Sequence, residues 1–252
     1  MYLHRSLLAL LIGASAALSG CQNMSPDGLV QSGMMAMKAA TLSDAEVKQI
    51  ADESCAQLDS QAQIAPSSSA YAKRLNAIAS ALGNQIDGTP VNYKVYMTRD
   101  INAFAMANGC VRVYSGLMDM MNDNEVEGVL GHELGHVSLG HIKKATQAAY
   151  ATAAARTAAA ASTNSTVAAL SQSQLGDIGQ ALVKAQFSQT QESAADDFSY
   201  DLLKQRGIKL DGLASAFDKL AKMDGGASSM FSDHPGSQER ADHIRKRIAN
   251  GK

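Results

Sequence analysis

The sequence has no block of like charge: charged residues make up 18% of 252 positions and the formal net charge is −2. Such a surface offers no continuous basic face to follow a phosphate backbone, so nucleic acid is not an expected partner. Beyond the first twenty residues there is no apolar run long enough to span a bilayer, and the body of the chain is expected to work in water. Cysteine is scarce, with three in all. Apolar residues are not: they fill 46% of positions, enough for the core of one globular domain behind a leader.

The leader opens weakly basic, with His4 and Arg5. Leu7 to Leu18 is then an apolar run of the length of a signal-peptide core. It ends in Leu18-Ser19-Gly20-Cys21, which resembles the lipobox of bacterial lipoproteins, where the Cys becomes the lipidated N-terminus. Residues 1–20 are therefore read as a lipoprotein signal peptide, 21–42 as a tether and 43–252 as the folded domain. Acyl chains on Cys21 would hold that domain at a membrane surface, each buried methylene contributing about 0.8 kcal/mol. Gln22 follows the Cys, which by likeness to enterobacterial lipoproteins favours the outer membrane, with the domain facing the periplasm. In that oxidising compartment Cys55 and Cys110 are read as one disulfide rather than two separate buried thiols, because no third thiol competes.

Along the domain, Ser43 and Glu46 form a capping box at a helix start, with Val47, Ile50, Ser54 and Leu58 on the inner face. A break at 65–69 precedes a second helix with Tyr71, Leu75, Ile78 and Leu82 on one stripe and Gly83 as its stop. Val91, Tyr93, Val95 and Met97 alternate with polar residues, as in a half-buried strand. Further extended stretches fall near 102–106 and 111–114. Together these predict a small antiparallel sheet, whose edge is a candidate for pairing with an extended peptide. Asn122 and Glu125 cap a helix running to about 140. The Ala-, Ser-, Thr- and Gln-rich stretch 145–175 fits either a helix hairpin or a flap. Helices are expected at about 190–205, 211–223 and 237–249.

His132-Glu133-Leu134-Gly135-His136 carries the chemistry. On a helix, positions four apart lie about 40° apart around the axis, so two imidazoles point the same way and can share one zinc ion. Glu133 sits beside them as a general base for water that zinc acidifies to near pH 7. A catalytic zinc takes a third protein ligand. His141 is a poor one, about 180° from His132 if the helix continues; the extended metzincin pattern needs a glycine at 139 and a histidine at 142, and the chain has Leu139 and Ile142. Glu192 is better placed, since Asp196, one turn further along the same helix, can accept the second N–H of a ligand imidazole.

Asn102-Ala103-Phe104-Ala105, Gly116-Leu117, the zinc motif with Gly140-His141, Glu192 with Asp196, and His234-Pro235 with Glu239-Arg240 come in the order of one family. Over about residues 40–250 the chain resembles the gluzincin peptidases of the CAAX prenyl protease, HtpX and BepA. The resemblance implies one zinc ion per chain held by His132, His136 and Glu192, with Glu133 as base. It places Asn102, Ala103, Phe104 and Gly116 along a substrate cleft. It sets His234 near the zinc, stabilising the oxyanion or occupying the metal at rest, and gives Arg240 an organising role through carboxylates. The expected fold is α+β: a mainly helical zincin-like domain with a small antiparallel sheet beside the active-site helix. The expected activity is hydrolysis of unfolded or misassembled envelope proteins, with other envelope proteases or outer-membrane assembly factors as partners. The alternative is an envelope chaperone or assembly lipoprotein whose zinc site is closed or vestigial.

Overall fold

A computed structural model describes residues 37–160, 172–223, 234 and 237–251. The signal peptide, Cys21 and the tether as far as residue 36 lie outside the described residues. The chain divides into two compact units. The larger comprises Leu42–Ala149 and Leu170–Lys252 and contains every described strand. Of the smaller, Met1–Thr41 with Tyr150–Ala169, the described parts are one helical turn at 37–41 and the C-terminal half of one helix.

Helix α1 (Asp44–Gln61) starts at the expected box: Ser43 Oγ accepts from the Glu46 N–H at 3.3 Å, and Glu46 Oε2 accepts from the Ser43 N–H at 2.8 Å. Its face of Val47, Ile50, Ser54, Cys55 and Leu58 is buried. Helix α2 (Ala70–Leu82) buries Leu75, Ile78 and Leu82 and stops at Gly83, whose φ of +107° suits a residue without Cβ. A hairpin of two short strands follows, β1 (Gln85–Ile86) and β2 (Thr89–Pro90), turning at Asp87-Gly88 with positive φ at both residues.

Strands β3 (Asn92–Tyr96), β4 (Ala103–Ala105) and β5 (Cys110–Tyr114) form one sheet in the order β3-β5-β4. The small sheet expected as antiparallel is mixed. β4 and β5 pair antiparallel across a tight turn, but β3 and β5 pair parallel. Three successive strands alternate in direction, and β5 inserts between the other two, so it meets the first running the same way. Side-chain alternation defines the faces of a strand and is silent on lateral order. Val95, Ala103, Ala105, Val111 and Val113 face the main core. Lys94, Tyr96, Phe104, Arg112 and Tyr114 occupy the opposite face. There Arg112, 2% exposed, makes two hydrogen bonds to Asp59 at 2.8 and 2.9 Å. The Cys55–Cys110 disulfide, as expected, joins α1 to the start of β5. Closing a loop of 55 residues stabilises the fold by about 4 kcal/mol on the chain-entropy account.

Helix α3 (Ser115–Met120) is a short link to α4 (Asp123–Ser138), which carries the zinc motif. Glu125 caps α4 reciprocally with Asn122 and also accepts hydrogen bonds from Lys219 at 2.6 Å and Ser215 at 2.5 Å. Helices α5 (His141–Ala160), α6 (Gln172–Val183), α7 (Gln189–Gln205), α8 (Gly212–Ala221) and α9 (Ser237–Asn250) complete the α+β domain. Both ends of the 145–175 stretch are helical; its middle, 161–171, is outside the described residues.

A glycine stripe on α4 sets how closely the other helices approach. A Cβ on Gly128 would lie 2.5 Å from the Leu213 nitrogen of α8, and one on Gly131 would lie 2.6 Å from Ser199 Oγ of α7. At Gly135 it would come within 3.0 Å of the Ala195 carbonyl. Ser199 Oγ donates to the Gly128 carbonyl at 2.8 Å across this seam. Gly128→Ala is expected to lower the unfolding free energy by about 1–3 kcal/mol despite the better helix propensity of Ala, because its neighbour is backbone and cannot swing away. Urea titration of the variant checks this; an unchanged midpoint would show that the two helices separate freely.

Candidate metal centre

The glycine seam brings the first two turns of α7 against the C-terminal half of α4. His132 and His136 therefore face Glu192, and all three are buried. A fourth buried side chain, His234, enters from the segment before α9. One donor atom from each of His132, His136, Glu192 and His234 lies within 4.8 Å of every other. His132 Nε2 is 3.0 Å from His136 Nε2 and 3.3 Å from His234 Nδ1. Glu192 oxygens lie 3.5 Å from the Nε2 atoms of His132 and His136 and 3.0 Å from His234 Nδ1.

These spacings suit a metal. Four atoms at tetrahedral zinc–nitrogen and zinc–oxygen distances are about 3.3 Å apart. Two imidazole nitrogens held 3.0 Å apart in a dry interior have at most one proton between them. Burial drives the His132 pKa well below its ordinary value and the His136 pKa down to about 4, so both rings are neutral and offer lone pairs at pH 7. Burial alone would raise the Glu192 pKa, but hydrogen bonds with His136 and His234 hold it far below the usual carboxylate range. The donor set is thus two neutral imidazoles and a carboxylate, with a third imidazole beside them.

The surroundings fix these groups. Asp196 Oδ1 is 2.8 Å from His132 Nδ1, so the proton of that ring sits away from the cluster. Arg240 binds Asp196 through Nε at 2.8 Å and Nη2 at 2.6 Å, and Glu192 through Nη1 at 2.6 Å. Its guanidinium lies 4.1 Å from the centre of the Phe217 ring. Arg240 thus joins the two carboxylates.

Glu133 is buried beside the cluster. Its Oε1 has no hydrogen-bond partner among the described residues and lies 3.6 Å from His234 Nε2. Burial raises its pKa to about 7, partly offset by the charge of His234. Burial lowers the His234 pKa, but Glu192 and Glu133 outweigh it and the net direction is up.

Asn102 Oδ1 accepts from the Ala103 N–H at 2.9 Å. The Asn102 carbonyl and the Met106 N–H both bond to β5, so Ala103 and Ala105, of opposite parity, turn their main chain to the outer edge. The Ala105 N–H there favours the charged form of Glu133. The Phe104 ring points to the far face of the sheet, packs on Tyr96 and Tyr114, and borders a cleft of about 390 Å³ with Asp100 and Val183. Gly116 is tied to fold: its N–H donates to the Thr98 carbonyl at 2.9 Å, and a Cβ there would lie 2.2 Å from the Arg99 carbonyl. His141 is outside the cluster, with its Nδ1 3.0 Å from His136 Nδ1. Phe187, stacked on the His136 ring with centroids 3.9 Å apart, was not anticipated, because one aromatic residue before a helix cap has no pattern. The glycine seam did have one, at i, i+3 and i+7.

Residues 69–248 match peptidase family M48, and the chain belongs to that family of metallopeptidases. It is 62% identical over 244 residues to the Metalloprotease LoiP of Escherichia coli (strain K12), covering 96% of each chain. It is 60% identical over 250 residues to Metalloprotease YcaL of the same strain, covering 97% of this chain and 98% of that one. A more distant match is the Putative beta-barrel assembly-enhancing protease of Vibrio cholerae, 29% identical over 178 residues, which are 63% of this chain and 35% of that one. Protein substrates follow from these relationships. Among the described residues no helix is long and apolar enough to cross a membrane.

A carboxyl whose pKa is raised by folding opposes folding once it must ionise. In the metal-free protein, Glu133→Gln is therefore expected to gain stability over the parent as pH rises from about 4.5 to about 7, the gain reaching about 3 kcal/mol above that window. Urea titrations of both proteins with chelator at pH 5 and pH 8 measure it. A difference independent of pH would mean that Glu133 ionises normally.

Proposed function

We propose that the protein is a zinc endopeptidase of the gluzincin type, held by His132, His136 and Glu192. The observation that carries this reading is the convergence of those donor atoms in a buried cluster with the Glu133 carboxylate beside it. A bound zinc supplies Lewis acidity, giving water that ionises near pH 7 and a polarised peptide carbonyl. Glu133, with a pKa of about 7, takes the proton of the attacking water and passes it to the leaving amine. Asp196 orients His132, and Arg240 binds Asp196 and Glu192 in place.

The substrate lies extended along the side of β4 that pairs with no described strand. The Asn102 side chain occupies the Ala103 N–H and leaves the outward Ala103 carbonyl as an acceptor for substrate backbone. Main-chain pairing of this kind accepts any unfolded segment, which fits unfolded or misassembled envelope proteins. The Leu18-Ser19-Gly20-Cys21 lipobox supports processing at Cys21 and anchoring at the outer membrane. The name of the Vibrio cholerae relative supports outer-membrane assembly factors as partners.

A second reading draws on His234, whose Nδ1 takes the place of a fourth ligand. It makes the protein a chaperone or assembly lipoprotein with a closed site. A peptidase assay with zinc-loaded protein separates the two. Hydrolysis is expected in the parent, and Glu133→Gln is expected to lose about 10²–10⁴-fold while retaining zinc. His234→Ala is expected to hydrolyse a short peptide faster than the parent, since a position for water opens. A zinc-loaded parent without turnover would favour the closed site, and a slower His234→Ala would assign His234 to the oxyanion. Cys21→Ser is expected to move the protein from the membrane to the soluble fraction.

A further inference from the structure

His132 and His136 are held by different means: Nδ1 of the first meets the Asp196 carboxylate, and Nδ1 of the second meets an imidazole. His136 Nε2 faces the cluster, 3.0 Å from His132 Nε2 and 3.5 Å from Glu192. To donate a lone pair from Nε2, a neutral imidazole carries its one proton on Nδ1. That atom lies 3.0 Å from His141 Nδ1, so His141 is the acceptor. The Phe187 ring lies flat on the same imidazole, with centroids 3.9 Å apart and planes 27° apart. We propose that His141 and Phe187 form a clamp that positions His136, the hydrogen bond fixing the ring edge and the stack fixing its face.

The backbone explains how a residue five positions on can serve. In an unbroken helix, His141 would lie about 140° around the axis from His136. Instead α4 ends at Leu139, and Gly140 takes φ +70°, a left-handed conformation that glycine adopts without strain. The chain then starts α5 at His141 and folds its side chain back onto the preceding turn. His141 is 7% exposed, which keeps water from competing for the bond. Phe187 lies just before Ser188, the cap of α7, so the clamp also joins the helix of Glu192 to that of His136.

This inference rests on the metal-centre reading, and its test reads metal retention as well as turnover. His141→Leu is expected to release zinc to a chelator about 10–100-fold faster than the parent and to shift the visible spectrum of the cobalt-substituted protein. His141→Asn places a carbonyl oxygen where Nδ1 stood and is expected to restore both to near the parent. Phe187→Ala is expected to speed release by a smaller factor. Parent-like retention and spectrum in His141→Leu would overturn the clamp, as would an equal defect in the Asn variant. A parent that holds zinc without hydrolysing peptide, while His141→Leu releases it faster, would remove the hydrolytic reading and leave the clamp standing.

Discussion

The architecture depends on the contact between α4 and α7 across Gly131 and Gly135. Side chains there would press on Ser199 and on the Ala195 backbone, and would disturb the 3.5 Å spacings between Glu192 and the two Nε2 atoms. Two imidazoles on one helix make only half a site. The carboxylate comes from 56–60 residues further along the chain, and its position is set by backbone approach rather than by its own sequence neighbourhood. Burial of Ala195 and Ser199 shows the same seam from the other side.

Burial on this scale collects charge where water cannot screen it. Glu133, Glu192, Asp196 and Arg240 sit together with three imidazoles, and an isolated ion there would cost several kcal/mol. Arg240 compensates two of the carboxylates at once, and Phe217 covers its guanidinium face. Among the described residues, Glu133 has no guanidinium partner of this kind. That asymmetry separates its behaviour from that of Glu192: one carboxyl is held ionised by hydrogen bonds, while the other is pushed by its dry surroundings toward neutrality, where it can exchange a proton near pH 7.

Much of this was legible in the residues. The capping boxes at Ser43 and Asn122 have fixed spacing and local hydrogen bonds, so they read directly and occur as expected. His132, Glu133 and His136 were readable because one helical turn decides their direction. Glu192 with Asp196 and Arg240 required the order of motifs along the chain. Lateral strand order was not legible: alternation in 91–114 shows which side chains share a face, and a meander and an inserted strand share that alternation. Gly116 illustrates the limit for single residues, since its place in a motif pointed to substrate, while its surroundings require only the absence of a Cβ. The break at Gly140 hid the relation of His141 to His136, because helical geometry was extended past a residue that ends it.

The covalent bond between Cys55 and Cys110 encloses α2, the β1–β2 hairpin, β3 and the whole of β4. Any cut in that enclosed length leaves both fragments fastened to each other, with β4 beside β5. A single nick there leaves the β4–β5 ladder on a covalent tether.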